Sequence, residues 1–136
     1  MPVTLIDAGP LVALVDLDDP YNAICAEAAR FIHGAVLTVW PALAEAMHLL
    51  RRVPGAQDRL WDFIDRKSVN VARLDVDDFP RMRELMHKYH DLPMDLADAA
   101  IVRVAERQRI RRIFTIDRRD FELYRPYRLG RFQILP

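Results

Sequence analysis

The chain has 136 residues, of which 51% are hydrophobic and 29% are charged, and its formal net charge is zero. This is the balance of an ordinary globular protein, and the length predicts one domain over residues 1–136 with a substantial core. The single cysteine, Cys25, excludes an internal disulfide framework and a multi-cysteine zinc site. No basic leader precedes an apolar stretch and no apolar run reaches the length of a membrane span, so we expect a cytoplasmic protein without membrane contact.

The elements are predicted from short branched apolar runs, which favour strands, and from apolar residues at helical spacing. In chain order we predict a strand at 3–6, helices at 11–16 and 20–31, a strand at 35–39, helices at 42–50 and 57–65, a strand at 69–74, helices at 77–89 and 94–108, and strands at 112–116 and 132–135. This alternation predicts an α/β fold with a mainly parallel sheet covered on both faces. Ligands of such folds bind beyond the carboxyl ends of the strands.

Four acidic residues stand where acidic side chains are least expected, at the end of an apolar strand or inside an apolar helix. They are Asp7, Glu45, Asp98 and Asp117. Buried carboxylates are costly unless they are paired or bind a cation, so the set suggests a divalent metal ion between them.

Each of the four also has a structural interpretation. Asp7 has the residue type of a helix N-cap, and Asp117 that of a turn residue. Glu45 and His48 are three residues apart and are expected to form a local ion pair if neither has another role.

Asp95 and Asp98 are likewise three residues apart at a predicted helix start. This spacing is typical of an N-cap followed by an acidic third position, and it explains Asp95 well. Asp98 is explained less well, because small and apolar residues surround it.

An oxygen-only acidic set favours Mg²⁺ or Mn²⁺, and such ions activate water and stabilise charge on a phosphodiester under attack. Zinc is disfavoured, because the four histidines form neither a cluster with cysteine nor a zinc-binding helical motif. The chain has 4 glycines and no glycine-rich phosphate loop.

The C-terminal third is basic. Residues 103–131 contain ten arginines against four acidic residues, an excess of six positive charges. Arginine suits bidentate contact with phosphate, so a basic segment beside an acidic pocket could hold a polyanion near the metal. A solvated surface with ordinary ion pairs explains these arginines equally well.

Four short segments, in this order, resemble the acidic motifs of PIN-domain ribonucleases, and especially those of VapC toxins from toxin–antitoxin pairs. The segments are Leu5-Ile6-Asp7, Pro41-Ala42-Leu43-Ala44-Glu45, Met94-Asp95-Leu96-Ala97-Asp98-Ala99 and Thr115-Ile116-Asp117. The resemblance implies a small α/β/α sandwich, an Mg²⁺- or Mn²⁺-dependent endoribonuclease, a homodimer and inhibition by a cognate VapB-like antitoxin. It implies that Asp7 and Asp98 are metal ligands, that Glu45 is a ligand or orients the attacking water, and that Asp117 completes the catalytic quartet.

One position departs from the family pattern. Members often carry Ser or Thr two residues after the first aspartate, where this chain has Gly9 followed by Pro10. Thr115, two residues before Asp117, could supply a hydroxyl to the site instead.

Two other functions are compatible with parts of this pattern. A non-catalytic PIN-fold interaction module would keep the fold without binding metal. A haloacid-dehalogenase-like phosphatase would require a second aspartate where Gly9 stands, which argues against it. The chain has more large apolar residues than one thin core obviously needs, and an antitoxin or second subunit could cover part of them: Leu11, Val12, Leu14, Val15, Tyr21, Trp40, Trp61 and Phe63. Core packing explains Trp40 and Trp61 at least as well.

Overall fold

The computed structural model describes residues 2–136. The strands are β1 (Thr4–Ile6), β2 (Val36–Thr38), β3 (Asn70–Val71), β4 (Arg112–Phe114) and β5 (Gln133–Leu135). The helices are α1 (Ala8–Val15), α2 (Asn22–Ala29), α3 (Trp40–Leu49), α4 (Ala56–Asp65), α5 (Phe79–Lys88), α6 (Leu96–Gln108) and α7 (Arg118–Leu123), with a 3₁₀ turn at Val76–Asp78.

The five strands form one sheet in the order β3-β2-β1-β4-β5, and every pair is parallel. The predicted α/β sandwich with a parallel central sheet is therefore confirmed. The central strand β1 is fully buried and pairs with β2 on one side and β4 on the other. The connections run outward from β1 in both directions, and right-handed crossovers then place helices on both faces of the sheet.

The order also fixes where a ligand crevice lies. The strand order reverses between β1 and β4, and clefts in parallel sheets open beyond the carboxyl ends of the strands at such a point. We call this end of the sheet the carboxyl edge, and the opposite end the amino edge.

The observed elements differ from the predicted ones mainly at their ends. Helix α1 begins at Ala8 instead of residue 11, because Asp7 caps it and Pro10 falls in the first turn, where no backbone N–H is needed. The helix predicted at 77–89 is divided into the 3₁₀ turn, which Asp75 and Asp78 cap reciprocally, and α5. Helix α7 was not predicted, because its six residues are too few for helical periodicity to be visible.

The core is one continuous cluster of buried side chains around the sheet. Its largest fully buried members include Tyr124, Phe114, Phe121, Leu5, Ile6 and Leu11. One continuous core supports the prediction of a single domain, which stays a prediction. Within residues 2–136 no helix has both the length and the apolar composition that a membrane span requires.

Candidate active site

The predicted acidic residues are delivered to the carboxyl edge by four different elements. Asp7 directly follows β1, and Asp117 follows the neighbouring strand β4 by three residues. Asp98 is in the first turn of α6, and Glu45 lies in α3, which follows β2. The topology therefore brings to one edge carboxylates that are up to 110 positions apart in the sequence, but of these four only Asp98 and Asp117 belong to a group whose carboxylate oxygens all lie within 4.8 Å of one another.

Asp98 is the most enclosed of the four, with 8% of its surface exposed. Its backbone N–H donates to Asp95 Oδ1 at 2.8 Å, and its Oδ2 accepts a hydrogen bond from the Tyr124 hydroxyl at 2.8 Å. Burial raises the pKa of Asp98 to about 8, and the charges of Asp95, Asp7 and Asp117 add to this shift. The hydrogen bond from Tyr124 lowers the pKa and offsets part of the shift. A cation bound nearby would therefore favour the ionised form of Asp98.

Asp7 is half-buried and uses both oxygens. Its Oδ1 accepts a hydrogen bond from the Ala8 N–H at 2.8 Å, which makes it the N-cap of α1, and its Oδ2 accepts one from the Thr115 hydroxyl at 3.2 Å. Burial raises the pKa of Asp7 to about 6 despite these two hydrogen bonds, and the charges of Glu45 and Asp95 contribute. The capping and site interpretations of Asp7 are thus compatible.

Thr115 links the ends of β1 and β4. It is fully buried, donates to Asp7 and accepts a hydrogen bond from the Asp117 N–H at 3.0 Å. The hydroxyl that reaches the first aspartate therefore comes from Thr115, as the sequence suggested.

The space beside Gly9 is already filled. A Cβ at position 9 would lie 2.7 Å from Ile116 Cγ1, so serine or threonine there would displace the Ile116 side chain. The Ile116 side chain thus occupies the space that the Ser or Thr of the family pattern would need.

Glu45 and Asp117 are exposed, which corrects the expectation that all four carboxylates occupy apolar surroundings. Partial desolvation nevertheless raises the pKa of Glu45, and the charge of Asp95 adds to the shift. Within residues 2–136 Glu45 forms no ion pair with His48, so the local pair proposed as its alternative role is absent there.

Asp120 is a further candidate site residue that the sequence did not reveal. Carboxylate oxygens of Asp98, Asp117 and Asp120 lie within 4.8 Å of one another, close enough to share a metal ion. The pKa of Asp120 is raised by burial and by its neighbour Asp117. Asp117 and Asp120 are one helical turn apart across the start of α7. This spacing brings their carboxylates together only if α7 forms, and so short a helix could not be predicted from the sequence.

The donor set fits a divalent metal ion. Asp7, Glu45, Asp98, Asp117 and Asp120 offer only carboxylate oxygens, which Mg²⁺ and Mn²⁺ prefer. None of the five forms an ion pair with Lys, Arg or His in the part of the chain that the structure describes. Burial, the largest cause, and neighbouring carboxylates raise the pKa values of Asp7, Glu45, Asp98 and Asp120, as expected for acidic groups crowded together without a cation.

The arginines of residues 103–131 do not form one basic surface beside this site. Arg118 and Arg119 begin α7 next to Asp117. The charge of Arg119 lowers the pKa of Asp120, which opposes the effects of burial and of Asp117. Arg103 and Arg107 instead contact the buried Asp78. The basic segment is therefore divided between the carboxyl edge and more distant surfaces.

A parallel sheet with carboxylates at its carboxyl edge is the arrangement expected of the PIN-domain ribonucleases that the four motifs resemble, and comparison with known proteins agrees. The PIN domain family profile matches residues 4–126. The chain therefore belongs to the PIN domain family.

Among its relatives is Ribonuclease VapC26 of Mycobacterium tuberculosis (strain ATCC 25618 / H37Rv). It is 29% identical over 134 residues, which is 97% of this chain and 99% of VapC26. The resemblance to VapC-type toxins implied by the four motifs is confirmed by this match and by the PIN domain match.

Two solved structures share the fold. The crystal structure of VapC20 from Mycobacterium tuberculosis, a Sarcin-Ricin loop cleaving toxin, has a TM-score of 0.73 at 18% identity and covers 82% of this chain and 86% of that chain. A toxin-antitoxin complex from Klebsiella pneumoniae contains a chain with a TM-score of 0.65 at 19% identity, covering 87% of this chain and 89% of that chain.

Proposed function

We propose that this chain is an Mg²⁺- or Mn²⁺-dependent endoribonuclease and the toxin component of a type II toxin–antitoxin pair. The observation that carries the proposal is the uncompensated carboxylate cluster at the carboxyl edge, where Asp98, Asp117 and Asp120 oxygens lie within 4.8 Å of one another. Family membership and the ribonuclease relative support RNA as the substrate.

The carboxylates have distinct roles in this proposal. Asp7 and Asp98 are the firmest metal ligands, Glu45 binds the metal or orients the attacking water, and Asp117 completes the set with Asp120 beside it. A bound divalent ion would lower the pKa of a coordinated water and stabilise negative charge on the phosphodiester.

The protein groups around the carboxylates hold them in place before substrate arrives. The Tyr124 hydroxyl fixes one oxygen of Asp98, the Thr115 hydroxyl fixes one oxygen of Asp7, and Asp95 holds the backbone of Asp98. Such supporting hydrogen bonds orient ligands and tune their affinity. Glu45 and Asp117 are exposed, so a metal ion that they help to bind would be accessible to RNA.

The partners in this proposal are RNA, a cognate VapB-like antitoxin and a second copy of the chain in a homodimer. The structural neighbour from a toxin-antitoxin complex supports the antitoxin, whereas the homodimer stays a prediction. Of the apolar residues that a partner could cover in part, Leu11 and Val15 are buried in the core and are not available. Tyr21, Trp40 and Trp61 are about half exposed and remain available for contact.

The test is cleavage of a total RNA mixture by purified wild type and Asp98→Asn, each with Mn²⁺ and with chelator. We expect discrete fragments only from wild type with metal, because asparagine keeps the shape of the side chain and removes the charge. Asp62→Asn, an exposed carboxylate on α4, is the matched control and should cleave like wild type.

Equal cleavage by Asp98→Asn and wild type would contradict the assignment of Asp98. Absence of cleavage by wild type with Mn²⁺ would favour the non-catalytic interaction module.

A further inference from the structure

A second charged surface lies at the other end of α6 from the carboxylates. A cleft of about 440 Å³ opens between α5, the C-terminal half of α6 and the loop that precedes β5. We call it the arginine cleft, and its lining residues are Arg81, Glu84, Arg103, Glu106, Arg107, Arg109, Tyr127 and Arg128.

Three of the five arginines are occupied by acidic partners. Arg81 donates two hydrogen bonds to Glu106, at 2.9 and 2.8 Å. Arg103 and Arg107 both donate to Oδ1 of the buried Asp78, at 2.8 and 2.6 Å. These three side chains form the wall of the cleft, and their acidic partners largely neutralise their positive charges.

Arg109 and Arg128 are different. Both are exposed, and neither forms an ion pair with any residue from 2 to 136. Each also has a left-handed backbone, with φ of 58° and 65°, a conformation that favours glycine or asparagine.

A structural role explains only one of the two. Arg109 caps the C-terminus of α6, where a cation interacts favourably with the helix dipole. Arg128 lies at no helix terminus, so nothing in the local backbone favours an arginine there.

An exposed aromatic ring stands beside these charges. Tyr127 is 62% exposed, and its ring centroid lies 5.2 Å from the guanidinium carbon of Arg128. The Tyr127 N–H donates to Glu106 at 2.8 Å, which fixes the loop without using the ring or the hydroxyl. The Arg128 guanidinium thus lies over the Tyr127 ring, and within residues 2–136 neither side chain has an acidic partner. An exposed ring next to guanidinium groups suits a nucleotide better than an acidic peptide, because bases stack on aromatic rings while arginine holds phosphate.

The arginine cleft is remote from the carboxylate cluster. From residue 98 to residue 109 the axis of α6 advances roughly 16 Å. Arg109 precedes β4 and Arg128 precedes β5, so both lie near the amino edge of the sheet.

We propose that the arginine cleft is a second contact surface for single-stranded RNA, in which Arg109 and Arg128 bind backbone phosphates and Tyr127 stacks on a base. The inference rests on the proposed function, which supplies RNA as the ligand. It adds a binding surface that takes no part in the chemistry.

The test measures binding of a fluorescein-labelled 12-nucleotide single-stranded RNA to the full chain by anisotropy, in chelator, over a range of salt concentrations. The double variant Arg109→Asn/Arg128→Asn removes both charges and keeps residues that tolerate positive φ. We expect about 25-fold weaker binding at 0.1 M salt, and a salt slope that is smaller by about 1.4, because each single-strand phosphate contact contributes about 0.7.

Lys67→Asn is the matched control, because Lys67 is another exposed cation with positive φ and lies outside the cleft. It should change RNA binding far less than the double variant does. Tyr127→Ala should weaken RNA binding at least about fivefold, since base stacking is lost. It should not alter the inhibition of RNA binding by inorganic phosphate.

Unchanged RNA affinity and salt slope in the double variant would overturn the proposal. An equal loss in Lys67→Asn would also overturn it, as would a double variant that loses binding of a 12-residue glutamate peptide while keeping RNA binding. Because the assay contains no divalent ion, its outcome is independent of whether wild type cleaves RNA.

Discussion

At the residue scale, Asp98 is expensive to ionise and is held in place. Its surroundings are buried and acidic, which raises its pKa to about 8, yet Tyr124 donates a hydrogen bond that favours the charged form. Burial and the neighbouring charge of Asp98 raise the pKa of Tyr124, so its hydroxyl stays a donor. The pair has the arrangement of a metal ligand and its supporting group.

Tyr124→Phe removes that donor and nothing else from the side chain. We expect Mn²⁺ affinity and RNA cleavage to fall about 10- to 100-fold, as is usual when a supporting hydrogen bond is lost. Stability should fall by only about 1 kcal/mol. Calorimetric titration with Mn²⁺ and thermal melting measure the two effects.

The control is Tyr89→Phe, which removes a hydroxyl from the same aromatic cluster. Tyr89 packs edge-on against Tyr124 with ring centroids 5.0 Å apart, but its hydroxyl accepts from the Arg125 N–H and not from the site. Equal Mn²⁺ affinity in Tyr124→Phe and wild type would show that Tyr124 has only a packing role.

Asp98 and Asp7 could be predicted as site residues from local pattern alone, and that assignment stays a prediction. Asp98 stands among small apolar residues at a helix start, and Asp7 ends a buried strand. Tyr124 could not be found this way, since its contact with Asp98 spans 26 positions and depends on how α7 packs.

At the scale of elements, α6 is fixed at both ends by aspartates. Asp95 caps its start, and Asp78 accepts hydrogen bonds from Arg103 and Arg107 in its second half. Burial alone would raise the pKa of Asp78, but hydrogen bonds from the Asp75 N–H and the two arginines lower it to about 2. Asp78 therefore stays charged and holds the 3₁₀ turn against α6.

Asp78→Asn should lower the free energy of unfolding by about 2–3 kcal/mol at neutral pH. Breaking a buried ion pair costs about 3–5 kcal/mol, and the partial exposure of both arginines reduces that figure. The pKa of Asp78 is lowered on folding, so its contribution is present above about pH 4 and is lost as pH falls through about 2.

Urea unfolding of wild type, Asp78→Asn and the exposed control Asp77→Asn measures this effect. The control should stay within about 0.5 kcal/mol of wild type. A loss that persisted undiminished at pH 2 would rule out the charge of Asp78 as its cause.

The elements were largely predictable, and the errors have local causes. All five strands and six of the seven helices lie at predicted positions, because apolar runs and helical spacing are strong local signals. Strand ends were predicted too long, since the parallel hydrogen bonding that defines them depends on neighbouring strands.

At the scale of the whole molecule, zero net charge conceals a separation of charge along α6. Uncompensated carboxylates lie at the carboxyl edge, and free arginines lie near the amino edge. The sequence predicted both groups but not their separation, because only the direction of α6 between β3 and β4 places them at opposite ends.

The carboxylate cluster should make stability depend on pH in the absence of divalent metal. The pKa values of Asp98 and Asp7 are raised from 3.8 to about 8 and about 6, so the folded chain keeps protons that the unfolded chain releases. The free energy of unfolding should therefore fall as pH rises from about 4 to about 8. Each pKa unit is worth about 1.4 kcal/mol, which makes the loss on the order of several kcal/mol.

Urea unfolding in chelator at pH 5, 6, 7 and 8 measures this dependence. Asp98→Asn should flatten it and be more stable than wild type at pH 8, whereas Asp62→Asn should keep the wild-type slope. A stability of Asp98→Asn that declined with pH as steeply as wild type would contradict the assignment to Asp98.

The most direct measurement is Mn²⁺ binding followed by the electron paramagnetic resonance signal of free Mn²⁺, because it does not depend on which RNA is the substrate. At pH 7.5 we predict saturable binding to wild type and to Asp62→Asn, and loss of that binding in Asp98→Asn. Saturable Mn²⁺ binding that survives Asp98→Asn, or no Mn²⁺ binding by wild type, would contradict a metal-dependent site at the carboxyl edge.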